Sequence, residues 1–302
     1  MRTAFVKVLT EEARKNKDLY LITADLGFLV LDEFKKNFPQ QFINIGISEA
    51  NLIGVAAGMA LMGKTVMTYS AATFVTMRCF EQIRDDVGSQ NLNVKIVGIG
   101  CGLSYGLDDL THMAVEDMAI MKTIPHMTVL SPGTPREAGV LSRQMFSHKG
   151  PCYMRLTKGG EGEIYDNKKA REITIGKGVI LQKGKKIAVI ATGNMIANAI
   201  RTGQLLSAQP TIVSMHTIKP IDTDLIKIIA KAHDTIITIE EHSIIGGLGS
   251  AVAEVLCEIG WNGKFKRCGL PDKWPRCVGR PDYLRDLYGL TPEKIALQIK
   301  SL

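Results

Sequence analysis

The sequence predicts an α/β protein built from two doubly wound domains, each with a mostly parallel sheet. Short, nearly continuous apolar runs alternate with amphipathic segments along all 302 residues. This alternation is typical of parallel strands covered by helices on both faces. A polar, glycine-containing segment at 157–172 separates two such alternations and has the composition of a domain boundary. We therefore expect one domain at 1–165 and a second at 173–302.

Each alternation supplies its own set of elements. In the first, strands are expected at 19–24, 42–46, 65–69, 94–99, 127–130 and 152–156, and helices at 31–37, 49–62, 74–90, 114–123 and 134–148. In the second, strands are expected at 186–193, 211–215 and 235–241, with helices up to about 207, at 222–233, from about 248 and at 292–300.

The composition is that of an ordinary globular protein, with 45% hydrophobic and 22% charged residues. The longest apolar run, Asn51 to Gly63, is too short to span a bilayer, and the N-terminus reads as an amphipathic helix rather than a signal peptide. The net charge of +7 is dispersed, so we expect anionic small molecules and no nucleic acid as partners. Six cysteines without a C-x-x-C pair indicate reduced thiols, no zinc site and a cytoplasmic location.

A single acid, Glu49, opens the apolar stretch "EANLIGVAAGMALMG". The positive end of a helix dipole favours an acid at this place, with Ser48 as the N-cap. However, a helix that is apolar on every face is expected to be buried on all sides. Burial disfavours the ionised carboxylate, so such an acid is either paired with another group or used in chemistry.

Two glycine-rich segments follow predicted strands. The segment "GGLGSAV" (246–252) hints at a dinucleotide site, but Val252 replaces the third glycine of the fingerprint and two acids precede it. The segment "GIGCGLSYGLDD" (98–109) follows the carboxyl end of a strand, where open α/β sheets bind their ligands. We regard the second segment as the better candidate for a functional loop.

Five blocks, in order along the chain, resemble the C-terminal half of transketolases, which some organisms make as a separate subunit. They are "TADLG" (23–27), "GISEANLIGVAAGMAL" (46–61), "GLDDLTHMAVEDMAIM" (106–121), "HTIKPID" (216–222) and "EEHSIIGGLGSAVAEVL" (240–256). The resemblance implies a pyrimidine-binding domain of a thiamine diphosphate enzyme followed by a transketolase C-terminal domain. It also implies transfer of a two-carbon ketol unit from a ketose to an aldose.

The resemblance gives Glu49 a catalytic role. In this family a glutamate bonds to N1′ of the cofactor's aminopyrimidine ring, and the ring's exocyclic nitrogen then takes the proton from the thiazolium carbon. This contact requires a protonated, desolvated carboxyl group. The position of Glu49 at the start of an apolar helix suits that requirement.

Three further residues are candidates for contact with the cofactor. Phe74 falls where the family stacks an aromatic ring on the aminopyrimidine, and Phe80 is a candidate second wall. The helical spacing of this segment also fits a core aromatic, which is the favoured interpretation for Phe80. Asp25 resembles the family's acid near the cofactor and the subunit interface, and a turn-making aspartate is the alternative.

The family's substrate loop supplies the remaining site residues. The resemblance assigns Asp108 to a hydroxyl of the donor sugar, and His112 to catalysis and to hydroxyls near the reacting carbonyl, where an imidazole can move protons. It assigns Arg155 to the sugar phosphate, as a guanidinium fork suits an anion, with Arg2 as its partner.

The sequence departs from the family at three positions near the substrate. Gly100 stands in place of a phosphate-binding histidine, Leu29 in place of a serine, and Leu107 in place of an acid. We therefore expect a donor other than an ordinary ketose phosphate: a sulfonate or another anion, or a shortened chain.

The chain has no G-D-G followed by Asn, the family's motif for the diphosphate and its metal. The resemblance therefore implies a separate N-terminal partner subunit that holds Mg²⁺ or Ca²⁺, joined in an α2β2 heterotetramer with active sites between chains. We expect no metal ligand in this chain. Alternatives are the beta subunit of a 2-oxoacid dehydrogenase, a deoxyxylulose-phosphate-synthase-like enzyme, a non-catalytic assembly subunit and an NAD-binding oxidoreductase.

Overall fold

The computed structural model describes residues 1–159 and 161–302, so the predicted boundary at 157–172 contains one residue, 160, outside the described part. Within these described ranges, twelve strands form two sheets. The strands are β1 (Leu19–Thr23), β2 (Phe42–Asn44), β3 (Thr65–Ala71), β4 (Val94–Ile99), β5 (Thr128–Leu130), β6 (Cys152–Leu156), β7 (Val179–Gln182), β8 (Lys186–Ala191), β9 (Thr211–Ser214), β10 (Thr217–Lys219), β11 (His233–Ser243) and β12 (Lys264–Leu270).

The α-helices alternate with these strands. They are α1 (Arg2–Lys15), α2 (Asp32–Asn37), α3 (Glu49–Leu61), α4 (Phe80–Gln82), α5 (Asp117–Thr123), α6 (Pro135–Ser147), α7 (Met195–Gln204), α8 (Thr223–Ala232), α9 (Leu248–Glu258), α10 (Pro281–Leu287) and α11 (Pro292–Lys300). Two π-helical segments, Phe74–Arg78 and Ile83–Gly88, flank α4. None of the helices in the described ranges has the length and apolar character that a bilayer span requires.

Both sheets are mostly parallel, as the sequence predicts. The first has the order β10-β5-β6-β4-β3-β1-β2 and the second the order β12-β11-β8-β9-β7. Only the pairings β10 with β5 and β7 with β9 are antiparallel among the described strands. Three apolar clusters fill the faces of the sheets. The prediction of two doubly wound α/β units is therefore confirmed.

Strand β10 is the main departure from the predicted organisation. It lies in the second half of the chain but pairs with β5 of the first sheet, Thr217 opposite Leu130 and Lys219 opposite Val129. The sequence analysis predicts no strand at Thr217–Lys219, and none at β7 or β12 of the second sheet. The domain limits 1–165 and 173–302 remain a prediction, and the second segment also completes the first sheet.

Helix α3 shows a second departure, because it is not buried on all sides within this chain. Its inner face packs into the core through Leu52, Ile53, Ala56 and Ala57. The opposite face is exposed, and it carries Asn51, Gly54, Gly58 and Leu61. An apolar helix needs both faces covered, so the exposed face is available for another chain.

Candidate active site at the carboxyl edge of the first sheet

A cavity of about 280 Å³ lies where strands β1 and β3 end and the loop after β4 begins. Its lining includes five of the residues predicted from the sequence, namely Asp25, Glu49, Phe74, Asp108 and His112. These residues come together because parallel strands place their carboxyl ends at one edge of the sheet, and the following loops meet there.

Glu49 is the first residue of α3 and is only 4% exposed. Ser48 occupies the N-cap position, but its hydroxyl donates to the Ile45 carbonyl at 3.2 Å instead of capping the helix. The expected side-chain cap is therefore wrong. The carboxylate accepts a hydrogen bond from Arg78 Nη1 at 3.2 Å, so it is held by an ion pair as well as by the helix start.

Arg78 is a site residue that the sequence did not single out. It ends the π-helical segment that begins at Phe74, a local geometry that is frequent at functional sites. Its guanidinium carbon lies 3.9 Å from the centre of the Phe74 ring. A planar, nitrogen-bearing group thus stacks on Phe74 while it donates to Glu49. Phe74 and Glu49 could make the same stacking and hydrogen-bonding contacts with an aminopyrimidine ring. The cavity therefore fits the pyrimidine half of thiamine diphosphate.

Asp25 makes a turn and also lines the cavity. Its backbone is in the left-handed region, with φ of 51°, which is typical of a turn-making aspartate. Its N–H donates to Asn44 Oδ1 at 3.0 Å, and Asn44 Nδ2 donates to its carboxylate at 3.1 Å. The same residue lines the cavity, so the turn presents it to the site.

Asp108 and His112 lie on two short helical turns, Gly106–Asp108 and Leu110–His112. The imidazole of His112 meets the edge of the Phe74 ring at a centroid distance of 4.9 Å. Its Nδ1 lies 3.0 Å from the Thr111 hydroxyl, which leaves Nε2 for a ligand. The loop therefore brings a carboxylate and an imidazole to the aromatic wall of the cavity.

Tyr105 is the second residue that sequence reasoning missed. Its ring covers Gly100, where φ is 82° and a Cβ would overlap the ring. The ammonium of Lys158 lies 4.9 Å from the ring centroid. Burial raises the pKa of Tyr105, and the nearby charge of Arg2 opposes that rise. An aromatic residue within a glycine-rich loop was the available signal.

Arg155 requires a correction, because it does not line the cavity. It is 3% exposed, and its Nε and Nη2 donate to the two carboxylate oxygens of Asp117 at 2.8 and 3.0 Å. Nη2 also donates to the Ala114 carbonyl at 3.1 Å. A guanidinium engaged in this way holds the fold together, and the structure does not bring it to the other site residues.

Two other predicted residues also lie apart from the cavity lining. Phe80 is half-buried and packs against the core, as the core interpretation expects. Arg2 is half-buried on α1. Burial raises the pKa of Tyr69 to about 12, and the positive charge of Arg2 opposes that rise. Arg2 thus lies beside Tyr69 and Tyr105, not with Arg155. Leu29 and Leu107 are 92% and 64% exposed, and neither lines the cavity.

The glycine-rich turn at 246–252 is occupied by the protein's own carboxylate. Glu240 accepts hydrogen bonds from the N–H groups of Leu248 and Gly249 at 2.7 and 2.8 Å. A Cβ at Gly247 would overlap the same carboxylate. In a dinucleotide fold these N–H groups would face a pyrophosphate. Because Glu240 takes that place, the NAD-binding alternative has no anion site here.

Glu240 and its neighbour His242 make opposite contributions to the pH dependence of stability. Burial raises the pKa of Glu240 to about 7 from 4.5 and lowers that of His242 to about 4 from 6.5. The stability contributed by Glu240 is complete below pH 4.5 and is lost as the pH rises through about 7. The contribution of His242 is complete above pH 6.5 and is lost as the pH falls through about 4. The two effects therefore offset each other at intermediate pH.

We expect the variants Glu240→Gln and His242→Gln to tilt the stability profile in opposite directions. Glu240→Gln leaves only the histidine, so stability falls as the solution is acidified. His242→Gln leaves only the carboxyl group, so stability falls towards neutral pH. Urea unfolding measures the free energy of unfolding of both variants between about pH 4.5 and 6.5, and we expect it to change by about 1–3 kcal/mol over this range in each variant. Parallel slopes in the two variants would contradict this account.

Comparison with known proteins agrees with the geometry. Residues 1–160 match the pyrimidine-binding domain of transketolase, and residues 176–295 match the transketolase C-terminal domain. The cavity and both domains define a thiamine-dependent transferase. The chain belongs to the transketolase family, as the C-terminal subunit of a split transketolase. The resemblance inferred from the five sequence blocks is thus confirmed.

The relatives include subunits of two-subunit enzymes. The chain is 41% identical to a transketolase C-terminal section from Methanocaldococcus jannaschii, over 99% of this chain and 95% of the relative. It is 36% identical to a 6-deoxy-6-sulfo-D-fructose transketolase subunit of Clostridium sp., over 98% and 92% of the two chains. Identity to a deoxyxylulose-phosphate synthase of Geobacter sulfurreducens is 33%, over 94% of this chain and 45% of that protein.

Solved structures show the same architecture. A split-gene transketolase described as an inactive beta4 tetramer superimposes with a TM-score of 0.90 at 34% identity, covering 99% of this chain and 97% of that chain. A transketolase mutant from Pichia stipitis gives a TM-score of 0.81 at 15% identity, covering 99% of this chain and 45% of the other. The second likeness concerns the fold alone.

Proposed function

We propose that this chain, together with an N-terminal partner subunit, transfers a two-carbon ketol unit from an anionic ketose to an aldose. The observation that supports this most directly is the single cavity in which Glu49 and Phe74 face Asp108 and His112. One pair suits a cofactor ring and the other suits a hydroxylated substrate. A subunit with only a structural role would have no need for this combination.

The residues of the cavity divide the work between cofactor and substrate. Thiamine diphosphate, when bound, supplies the nucleophilic carbon that accepts and passes on the two-carbon unit. Glu49, the first residue of α3, is placed to exchange a proton with the pyrimidine ring nitrogen. Phe74 orients the ring, with Asp25 at the mouth of the site. His112 moves protons at the reacting carbonyl and Asp108 binds a donor hydroxyl.

A partner subunit completes the site in this proposal. The described residues contain no cluster of His, Cys, Asp and Glu that could hold a metal ion, and the diphosphate motif is absent from the sequence. We assign the diphosphate and its Mg²⁺ or Ca²⁺ to the partner. Ile47 lines the cavity and is 75% exposed, so a second chain would cover an apolar side chain at the site. Phe28 and Leu107, each adjacent in sequence to a site segment, are 76% and 64% exposed.

The exposed face of α3 supports an assembly of more than two chains, and we propose an α2β2 heterotetramer. A relative's structure is described as an inactive beta4 tetramer, which fits a site that needs the other subunit. The unpaired state of all six cysteines, four of them buried, supports a cytoplasmic location.

The donor carries an anion at the end remote from the reacting carbonyl. Lys158 and Arg2 flank Tyr105 and supply positive charge near the cavity, in place of Arg155. The Tyr105 ring occupies the space over Gly100, so the donor's end group meets a different surface from that of an ordinary transketolase. Relatives named for sulfofructose and for apulose 4-phosphate support an anionic ketose of unusual structure.

Reconstitution with the N-terminal subunit tests this function. We expect the purified chain to be inactive alone and the mixture to transfer ketol units from an anionic ketose when thiamine diphosphate and Mg²⁺ are added. Xylulose 5-phosphate, 6-deoxy-6-sulfofructose and neutral fructose serve as donors, with Lys158→Ala as a variant. Its KM for the preferred anionic donor is expected to rise about tenfold, with little change for fructose.

Three results would contradict the proposal. Tight cofactor binding and turnover by the isolated chain would remove the need for a partner. Equal turnover of charged and neutral donors would contradict the requirement for an anionic donor. Full preference for xylulose 5-phosphate would contradict a donor of unusual structure.

A further inference from the structure

The loop that carries Asp108 and His112 is held by a side chain from the other half of the protein. Glu241, near the end of β11, accepts a hydrogen bond from the N–H of Leu103 through Oε1 at 2.8 Å. Leu103 lies within the loop that leaves β4, five residues before Asp108. The contact joins residues 138 positions apart in the sequence.

The fit between this carboxylate and the loop is close. Gly102 has a φ of 62°, and a Cβ at that position would overlap the Glu241 side chain. Next to this contact, the N–H of Gly279 donates to the Gly106 carbonyl at 3.0 Å. Any side chain at Gly106 would overlap Leu284 of α10. The loop is therefore fixed by the second half of the chain at two successive points, 103 and 106.

Glu241 is itself rigidly held. It is 2% exposed, and its Oε1 also accepts from the Asn194 amide at 3.1 Å. Its other oxygen accepts from Arg285 Nε at 2.5 Å. A buried carboxylate with these partners has little freedom, so it transmits its position to the loop backbone.

We propose that Glu241 is a positioning residue, which fixes the loop of Asp108 and His112 and thereby sets the affinity for the donor. The effect on donor affinity rests on the proposed function, whereas the fixing of the loop is a property of the chain itself. It also gives the second half of the chain a role in donor binding.

Hydrogen–deuterium exchange on the isolated chain tests the first half. We compare Glu241→Ala, which removes all three hydrogen bonds, with Glu241→Gln, which keeps the shape but loses the charge. The matched control is Glu254→Gln, since Glu254 pairs with Lys122 at 3.0 Å and is 64% exposed. We expect amide exchange over residues 103–112 to accelerate about tenfold in Glu241→Ala and less in Glu241→Gln. The control should match the wild type.

Donor kinetics of the reconstituted enzyme test the second half. We expect Glu241→Gln to raise the donor KM several-fold with a smaller change in kcat, and Glu254→Gln to change neither. Unchanged loop exchange in both Glu241 variants would overturn the fixing of the loop. Accelerated exchange with an unchanged donor KM would overturn the effect on affinity while leaving the proposed function intact. An inactive wild-type mixture would count against the proposed function, and the exchange data would still decide whether Glu241 holds the loop.

Discussion

Replacing Glu49 with glutamine is expected to lower ketol transfer by the reconstituted enzyme about 10²–10⁴-fold. An amide has nearly the same size as a carboxyl group, so the cavity and the start of α3 are preserved. It cannot exchange a proton with the pyrimidine ring, however, so the activating step is lost. The measurement is the rate of product formation with saturating donor, acceptor and cofactor.

The control for this experiment is Glu81→Gln, since Glu81 is an exposed acid on neighbouring α4. It should retain full activity. Circular dichroism and size-exclusion chromatography should show that the Glu49→Gln chain folds and joins its partner normally. Undiminished turnover in Glu49→Gln would remove the central assignment of the site.

Replacing Asp117 with alanine is expected to destabilise the chain by about 3–5 kcal/mol. Asp117 is fully buried and accepts hydrogen bonds from Arg155 and from the Tyr153 hydroxyl, the latter at 2.6 Å. Without it, the guanidinium remains in the interior as an uncompensated charge. Urea unfolding of the isolated chain at neutral pH measures the loss.

Two further variants show whether the buried charge is the cause. Asp18→Ala breaks the exposed pair with Lys64 and should leave stability unchanged within error. The double variant Asp117→Leu with Arg155→Met replaces the ion pair with apolar groups and should recover most of the lost stability. A double variant as unstable as Asp117→Ala would mean that packing, not charge, accounts for the loss.

The features that sequence reasoning predicted are those with local signals. Most of the strand and helix order follows from hydrophobic periodicity, although β7, β10 and β12 were not predicted. Asp25, Asp108 and His112 were found through the family resemblance, and the structure places them with Glu49 around one cavity. Phe74 was found through the resemblance, and its ring lies on the cavity wall.

The features that were missed depend on distant partners. Arg155 looks free for an anion until Asp117, 38 residues away, is seen beside it. Tyr105 gains its place over Gly100 from a left-handed backbone that the sequence does not specify. Glu241 reads as one of two acids before a glycine-rich turn, and its hydrogen bond to Leu103 depends on how the two halves pack.

The position of β10 affects how the protein can be divided for experiments. A fragment ending near residue 165 would lack Thr217–Lys219, so the open edge of β5 would present unpaired backbone groups to other molecules. The boundaries of the two family domains are therefore poor places to truncate the chain, because a fragment cut between them exposes an aggregation-prone strand edge. The polypeptide is best expressed and engineered as one indivisible unit.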